Sequence, residues 1–196
     1  LYRMQPGARG AARIDHHPAR AGDFDRSAVM RLLDKQAIYE VCLYVARGLD
    51  RDDRSLIRAC LTDDRAFPGL DGGDAAPDDM SFHFISNVGI DFSGADEAAV
   101  RTNFVHWSAP QQFEGERPHR VASGWFLDRF RRIDGAWLIE HREVRYNRRS
   151  EERGEEDYWT SYASRAGKTG VRGASDPIYD YCEWGVRPPF IDAGPR

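Results

Sequence analysis

The apolar period of this chain changes once, from helical to strand-like, and that change restricts the folds open to it. From Asp25 to Leu49 the apolar residues Ile38, Val41, Cys42, Val45 and Leu49 recur at helical spacing, while Asp34, Lys35, Glu40 and Arg47 fall off the stripe. This predicts one long amphipathic helix, with Gly48 and the charged turn Asp50-Arg51-Asp52-Asp53 as its stop. Ser55 to Leu61 then reads as a second, shorter helix, so the two form a helical hairpin. A short strand is expected around Arg65-Ala66-Phe67, followed by a Gly/Asp/Pro-rich loop from Pro68 to Asp79. Beyond it the period is two: Phe82–Phe92, Ala98–Ser108, Val121–Ile133 and Trp137–Tyr146 read as four strands. The pair Asp134-Gly135, set between Phe130 and Trp137, marks a tight hairpin. Two helices followed by an antiparallel meander make an α+β domain whose curved sheet wraps the long helix.

Length and charge narrow the class. The 196 residues suffice for one domain with extensions: a leader at 1–24, a domain at 25–147 and an aromatic extension at 148–196. The leader is rich in Gly, Ala, Pro and Arg and has no apolar period. The extension opens on the charge run Arg148–Asp157 and then carries Trp159, Tyr162, Tyr179, Tyr181 and Trp184, which suit packing against the domain or a neighbouring subunit. With 28 basic and 32 acidic residues interspersed and a net charge of -4, the chain lacks the clustered basic face of a nucleic-acid protein. No apolar run approaches the roughly 20 residues of a membrane span, and a cytoplasmic location is the expectation. Cys42, Cys60 and Cys182 show no zinc or disulfide spacing, so they read as inert buried thiols, and no metal site is expected.

The residues that carry chemistry are Asp50, which closes the long helix, and His83, which opens the strand Phe82-His83-Phe84-Ile85-Ser86-Asn87. If the two meet in an apolar cup, the carboxylate can hold one imidazole tautomer while the other ring nitrogen takes a proton.

The order of elements, and several phrases within it, resemble the SnoaL-like branch of the nuclear transport factor 2-like superfamily, an α+β cone fold. The phrases are Leu33-Asp34-Lys35-Gln36-Ala37-Ile38, Gly48 to Asp53, His83-Phe84-Ile85-Ser86-Asn87, and Gly124 to Phe130 running into Asp134-Gly135-Ala136-Trp137. Within that superfamily the chain is most similar to lyases: scytalone dehydratase, a bile-acid dehydratase and a hexachlorocyclohexane dehydrochlorinase. The resemblance implies an Asp/His pair, at Asp50 and His83, that works without metal or organic cofactor. It also places a second histidine near His106 and a cavity arginine at Arg142. Tyr39, Tyr44, Asn87 and Trp125 complete the candidates as substrate-binding residues. The implied activity is a cofactor-independent elimination, of the dehydratase or retro-aldol type, on a small apolar, cyclic or aromatic substrate such as a lignin-derived diaryl compound.

Each of these residues also has a plainer role. Asp50 can cap the next helix, His83 can be a structural strand histidine, and Tyr39 and Tyr44 can be core. His106 alternates with Phe104, Asn87 can satisfy a bulge, and Arg142 can be one half of a salt bridge. Polyketide cyclisation or isomerisation uses similar proton transfers. The fold also serves as a non-catalytic ligand carrier and as the small subunit of ring-hydroxylating dioxygenases. Two-sided apolar strands and the aromatic extension lead us to expect a homo-oligomer, a trimer or dimer.

Overall fold

The computed structural model describes residues 25–68, 70, 79–110 and 117–154. The leader 1–24 and residues 155–196, with Cys182 and the aromatic residues of the extension, lie outside the described residues.

Helix α1 runs Arg26–Arg51. It starts because Asp25 accepts hydrogen bonds from the Ser27 and Ala28 amides, and it stops because Asp52 turns left-handed at φ 56° and returns its N–H to the Gly48 carbonyl. Gly48 is therefore inside the helix rather than its stop. It is buried against Ile57, whose Cγ1 would lie 2.5 Å from any added Cβ. Asp53 caps the six-residue helix α2, Arg54–Ala59. The strand expected around Arg65-Ala66-Phe67 is instead a 3-10 turn at Asp64–Ala66, because the Asp63 carboxylate accepts from the Arg65 amide and winds the chain.

Four strands follow as a meander in the order β1-β2-β3-β4: β1 Asp79–Phe92, β2 Glu97–Pro110, β3 Arg117–Ile133 and β4 Ala136–Gly154. Both residues of the Asp134-Gly135 turn have positive φ, 50° and 84°, as a two-residue hairpin requires. β4 continues to Gly154, past the Tyr146 end that alternation predicts, and pairs with β3 throughout.

Three bulges re-aim the side chains. Asn87 and Val88 together oppose Thr102, because the β1–β2 register shifts between Ser86 and Gly89. On β4 the register shifts at Arg129/Phe130 and again at Ser123/Gly124, where Glu140 and Asn147 are the extra residues.

The sheet's concave face holds α1. Ile38, Val41, Cys42 and Val45 pack with Ile57, Cys60, Ala98, Val100, Phe130, Trp137 and Ile139 in the main core. Leu61 bridges Ile139 in parallel, which docks the helical hairpin on β4. Trp137 Nε1 donates to Asp34 at 3.0 Å, and Arg132 pairs with Asp34 at 2.6 Å, so the first half of α1 is tied to the β3–β4 hairpin. A smaller cluster of Phe104, Ala122 and Phe126 lies on the same concave face, with Ile85 and Val144 packed against both clusters.

Gly124 sits where β4 bulges. A Cβ there would lie 1.9 Å from the Arg145 carbonyl oxygen, whereas one at Gly89 would meet nothing within 4 Å. Gly124→Ala is therefore expected to cost on the order of 1–3 kcal/mol in a urea melt, and Gly89→Ala less than about 0.5 kcal/mol.

Candidate active site

Asp50 is the penultimate residue of α1, and the helix delivers its carboxylate to the start of β1. One oxygen, Oδ2, accepts the His83 backbone N–H at 3.1 Å, while Oδ1 lies 2.7 Å from His83 Nδ1. A carboxylate has no proton to give, so Nδ1 carries the hydrogen and Nε2 is left with its lone pair. Among the described residues Nε2 has no hydrogen-bond partner. Both side chains are largely withdrawn from water, at 10% exposure for His83 and 15% for Asp50.

His106 lies directly across the β1–β2 ladder from His83, and the two rings stack at 4.2 Å and 10°. Ser81, one pleat before His83 and buried, places its hydroxyl 3.4 Å from Asp50 Oδ1 and 3.0 Å from His106 Nε2. Around these groups are aromatic rings. Phe104 and Phe126 stack at 4.4 Å, each lies about 6 Å from His83, and Tyr146 stands edge-on to Phe104 at 5.9 Å. Tyr146 remains 60% exposed although it shares the concave parity of Arg142 and Val144.

Arg142 also faces this interior. Its guanidinium makes two 2.8 Å hydrogen bonds to Asp128, with both side chains no more than 1% exposed, and it lies 4.3 Å from the Phe126 ring centre. Burial works against the charge, but the Asp128 carboxylate more than offsets it, so the guanidinium is held above its ordinary value. Arg142 Nη1 is buried and makes no hydrogen bond among the described residues.

The other candidates are elsewhere. Tyr39 is eleven residues before Asp50, about 16 Å along the helix axis. With Asn87 it lines a surface depression of about 390 Å3, between Leu32, Lys35 and Gln36 of α1 and Ser86, Val88 and Ile90 of β1. The bulge removes Asn87 from the His83 face: it is exposed, with φ 48°. Tyr44 is half-buried against the main core, and burial raises its pKa. Trp125 points to the convex face, since its neighbours Gly124 and Phe126 are the buried ones.

Sequence reasoning passed over Ser81, Asp128, Phe104, Phe126 and Tyr146. Ser81 shares strand parity with His83 and could have been found from that alone. Asp128 could have been found as a lone acid on the core side of the alternation Phe126, Asp128, Phe130.

Residues 30–143 match the model of the SnoaL-like domain family, and the chain belongs to that family. No curated protein matches it in sequence. Its fold is similar to that of a candidate scytalone dehydratase from Novosphingobium aromaticivorans, 18% identical, with 65% of this chain and 93% of that one covered and a TM-score of 0.52. It is similar as well to a type 2 hexachlorocyclohexane dehydrochlorinase, at 15% identity, 66% and 96% coverage and a TM-score of 0.57. The type 3 dehydrochlorinase from Novosphingobium barchaimii gives 17%, 66% and 97%, and 0.54. At these identities the likeness is one of fold.

Two outcomes follow. Asp128→Ala leaves the Arg142 charge buried without its partner and is expected to cost about 3–5 kcal/mol, whereas the double change Asp128→Leu with Arg142→Met stays closer to the parent in a denaturant melt. Burial pushes the Cys42 and Cys60 thiols from 9.0 up to about 12. The folded state therefore keeps both protonated while the unfolded chain ionises. Each thiol's contribution is intact below pH 9 and is lost as pH rises toward 12, at up to about 1.4 kcal/mol per pH unit. Urea melts between pH 8 and 10.5 should show that decline, and the Cys42→Ala, Cys60→Ala double variant should flatten it.

Proposed function

We propose that this protein is a cofactor-independent lyase in which His83 is the general base and Asp50 its orienting partner. The observation that carries the reading is the 2.7 Å contact of His83 Nδ1 with Asp50 Oδ1, which commits the other ring nitrogen to accept a proton. In the proposed step, Nε2 takes a proton from a substrate carbon. The electrons of that C–H bond form a double bond, and a leaving group departs from the adjacent carbon. Asp50 stabilises the imidazolium, assisted by the negative end of the α1 dipole. The imidazolium can return its proton to a departing hydroxide, which leaves as water; a halide leaves without it.

Arg142 fits the role of oxygen-charge stabiliser, since one buried N–H is uncommitted while Asp128 fixes the rest of the fork. The Phe104, Phe126 and Tyr146 rings suit a small apolar, cyclic or aromatic substrate. The dehydratase and dehydrochlorinase among the structures of similar fold perform eliminations by name, which supports this reaction class.

A second proposal concerns assembly. The convex face presents Phe82, Phe84 and Val105 at 37%, 66% and 44% exposure, with the Trp107 ring tilted beside Phe82 at 6.0 Å. Such a patch suits a homo-oligomer. Phe84→Glu should then lower the mass found by light scattering, and a parent protein that is monomeric at all concentrations refutes the assembly.

To test the activity, the purified protein is offered apolar cyclic compounds with a hydroxyl or halide β to an acidic C–H, together with lignin-type diaryl compounds. With any compound turned over, His83→Gln should lose about 10²–10⁴-fold in kcat. Asp50→Asn should be severely impaired, because it keeps the shape but not the charge that favours imidazolium. Wild-type turnover in both folded variants would refute the base assignment.

A further inference from the structure

Ser81 and His106 are not needed as proton acceptors in the reaction above, yet both are built into the same network. Ser81 Oγ has one proton and two polar neighbours, Asp50 Oδ1 at 3.4 Å and His106 Nε2 at 3.0 Å. If that proton went to His106, the contact with Asp50 would bring two oxygens together with no hydrogen between them. If it goes to Asp50, Ser81 has lone pairs for His106, and His106 must carry its hydrogen on Nε2. Only the second arrangement makes both contacts hydrogen bonds.

We infer that His106 and Ser81 are positioning residues forming a directed chain, His106 Nε2–H to Ser81 Oγ–H to Asp50 Oδ1, that holds the Asp50 carboxylate for His83. The inference rests on the His83/Asp50 reading for its catalytic meaning, but the chain itself is a property of the free protein. Asp50 then accepts three hydrogen bonds, from the His83 amide, His83 Nδ1 and Ser81, and cannot rotate without breaking them. The His106 ring, stacked at 4.2 Å, fixes the plane of the His83 ring.

The test is imidazole nitrogen NMR on the full chain without substrate. At pH 8, His83 should be Nδ1-protonated and His106 Nε2-protonated. Ser81→Ala should redistribute the His106 tautomers, and Ser81→Thr should restore them. With a substrate that turns over, Ser81→Ala should lower kcat about 10- to 100-fold with KM nearly unchanged, and Ser81→Thr should recover most of the loss.

An Nδ1-protonated His106 in the parent protein overturns the chain, as does a Ser81→Ala protein with parental tautomers. These readouts are independent of turnover. Parental turnover in Ser81→Ala beside inactive His83→Gln would overturn the positioning role while leaving the base assignment standing.

Discussion

One carboxylate joins the end of α1 to the beginning of β1, and the site depends on that join. Asp50 reaches across from the helix to accept the backbone N–H of His83 and its ring Nδ1 together. The backbone contact fixes the strand relative to the helix, and the ring contact fixes the imidazole relative to both. Structural clamp and candidate catalytic partner are thus the same group. This is why the capping role that Asp50 could have had passes to its neighbours: Asp52 ends α1 and Asp53 starts α2.

The position of the site follows from where the helix runs out. Along most of its length α1 fills the concave face, and the buried core there is aliphatic apart from its two cysteines and Phe67, Phe130 and Trp137. Past Asp50 there is no more of α1 to cover the sheet. The side chains on that part of the concave face are His83, His106, Phe104 and Phe126, with Ile85 and Val144 shared between the two clusters. Charged groups survive inside because each is held: Asp128 and Arg142 neutralise one another with two short hydrogen bonds, and the Asp50 carboxylate takes its bonds from His83 and Ser81. The buried thiols of Cys42 and Cys60 stay neutral, pushed up to about 12, and behave as small hydrophobes beside the ion pair.

The β-bulges decide which polar side chains enter that interior. Counting back from the Asp134-Gly135 turn with strict alternation pairs Asp128 with His141, and Arg142 falls on the outer face with Leu127. The extra residue at Glu140 changes the pairing to Asp128 with Arg142 and turns Arg142, Val144 and Tyr146 inward. The bulge at Asn87 acts in the opposite sense, taking Asn87 off the His83 face and putting Val88 and Ile90 on the core side.

Much was legible in the sequence because it is local or periodic. The stripe of Ile38, Val41, Cys42 and Val45 determines a helix that must be covered. Asp-Gly determines a hairpin, and alternation determines four strands. Asp50 and His83 could be singled out because one closes a helical stripe and the other lies early in an alternating run, in phrases that resemble the SnoaL-like family. One reading failed for an equally local reason: Asp63 winds residues 64–66 into a turn where apolar content suggested a strand, whereas α1 does end in the charged turn, at Asp52. What only the tertiary structure decided is which residues meet across elements. Side-chain direction in a strand reverses with every inserted residue; Asn87 suits the left-handed backbone of a bulge, but nothing in the sequence marks Glu140 or Asn147 as an inserted residue. The Asp128–Arg142 pair, the stacked His83 and His106 rings, and the exile of Asn87 from the site all depend on that register.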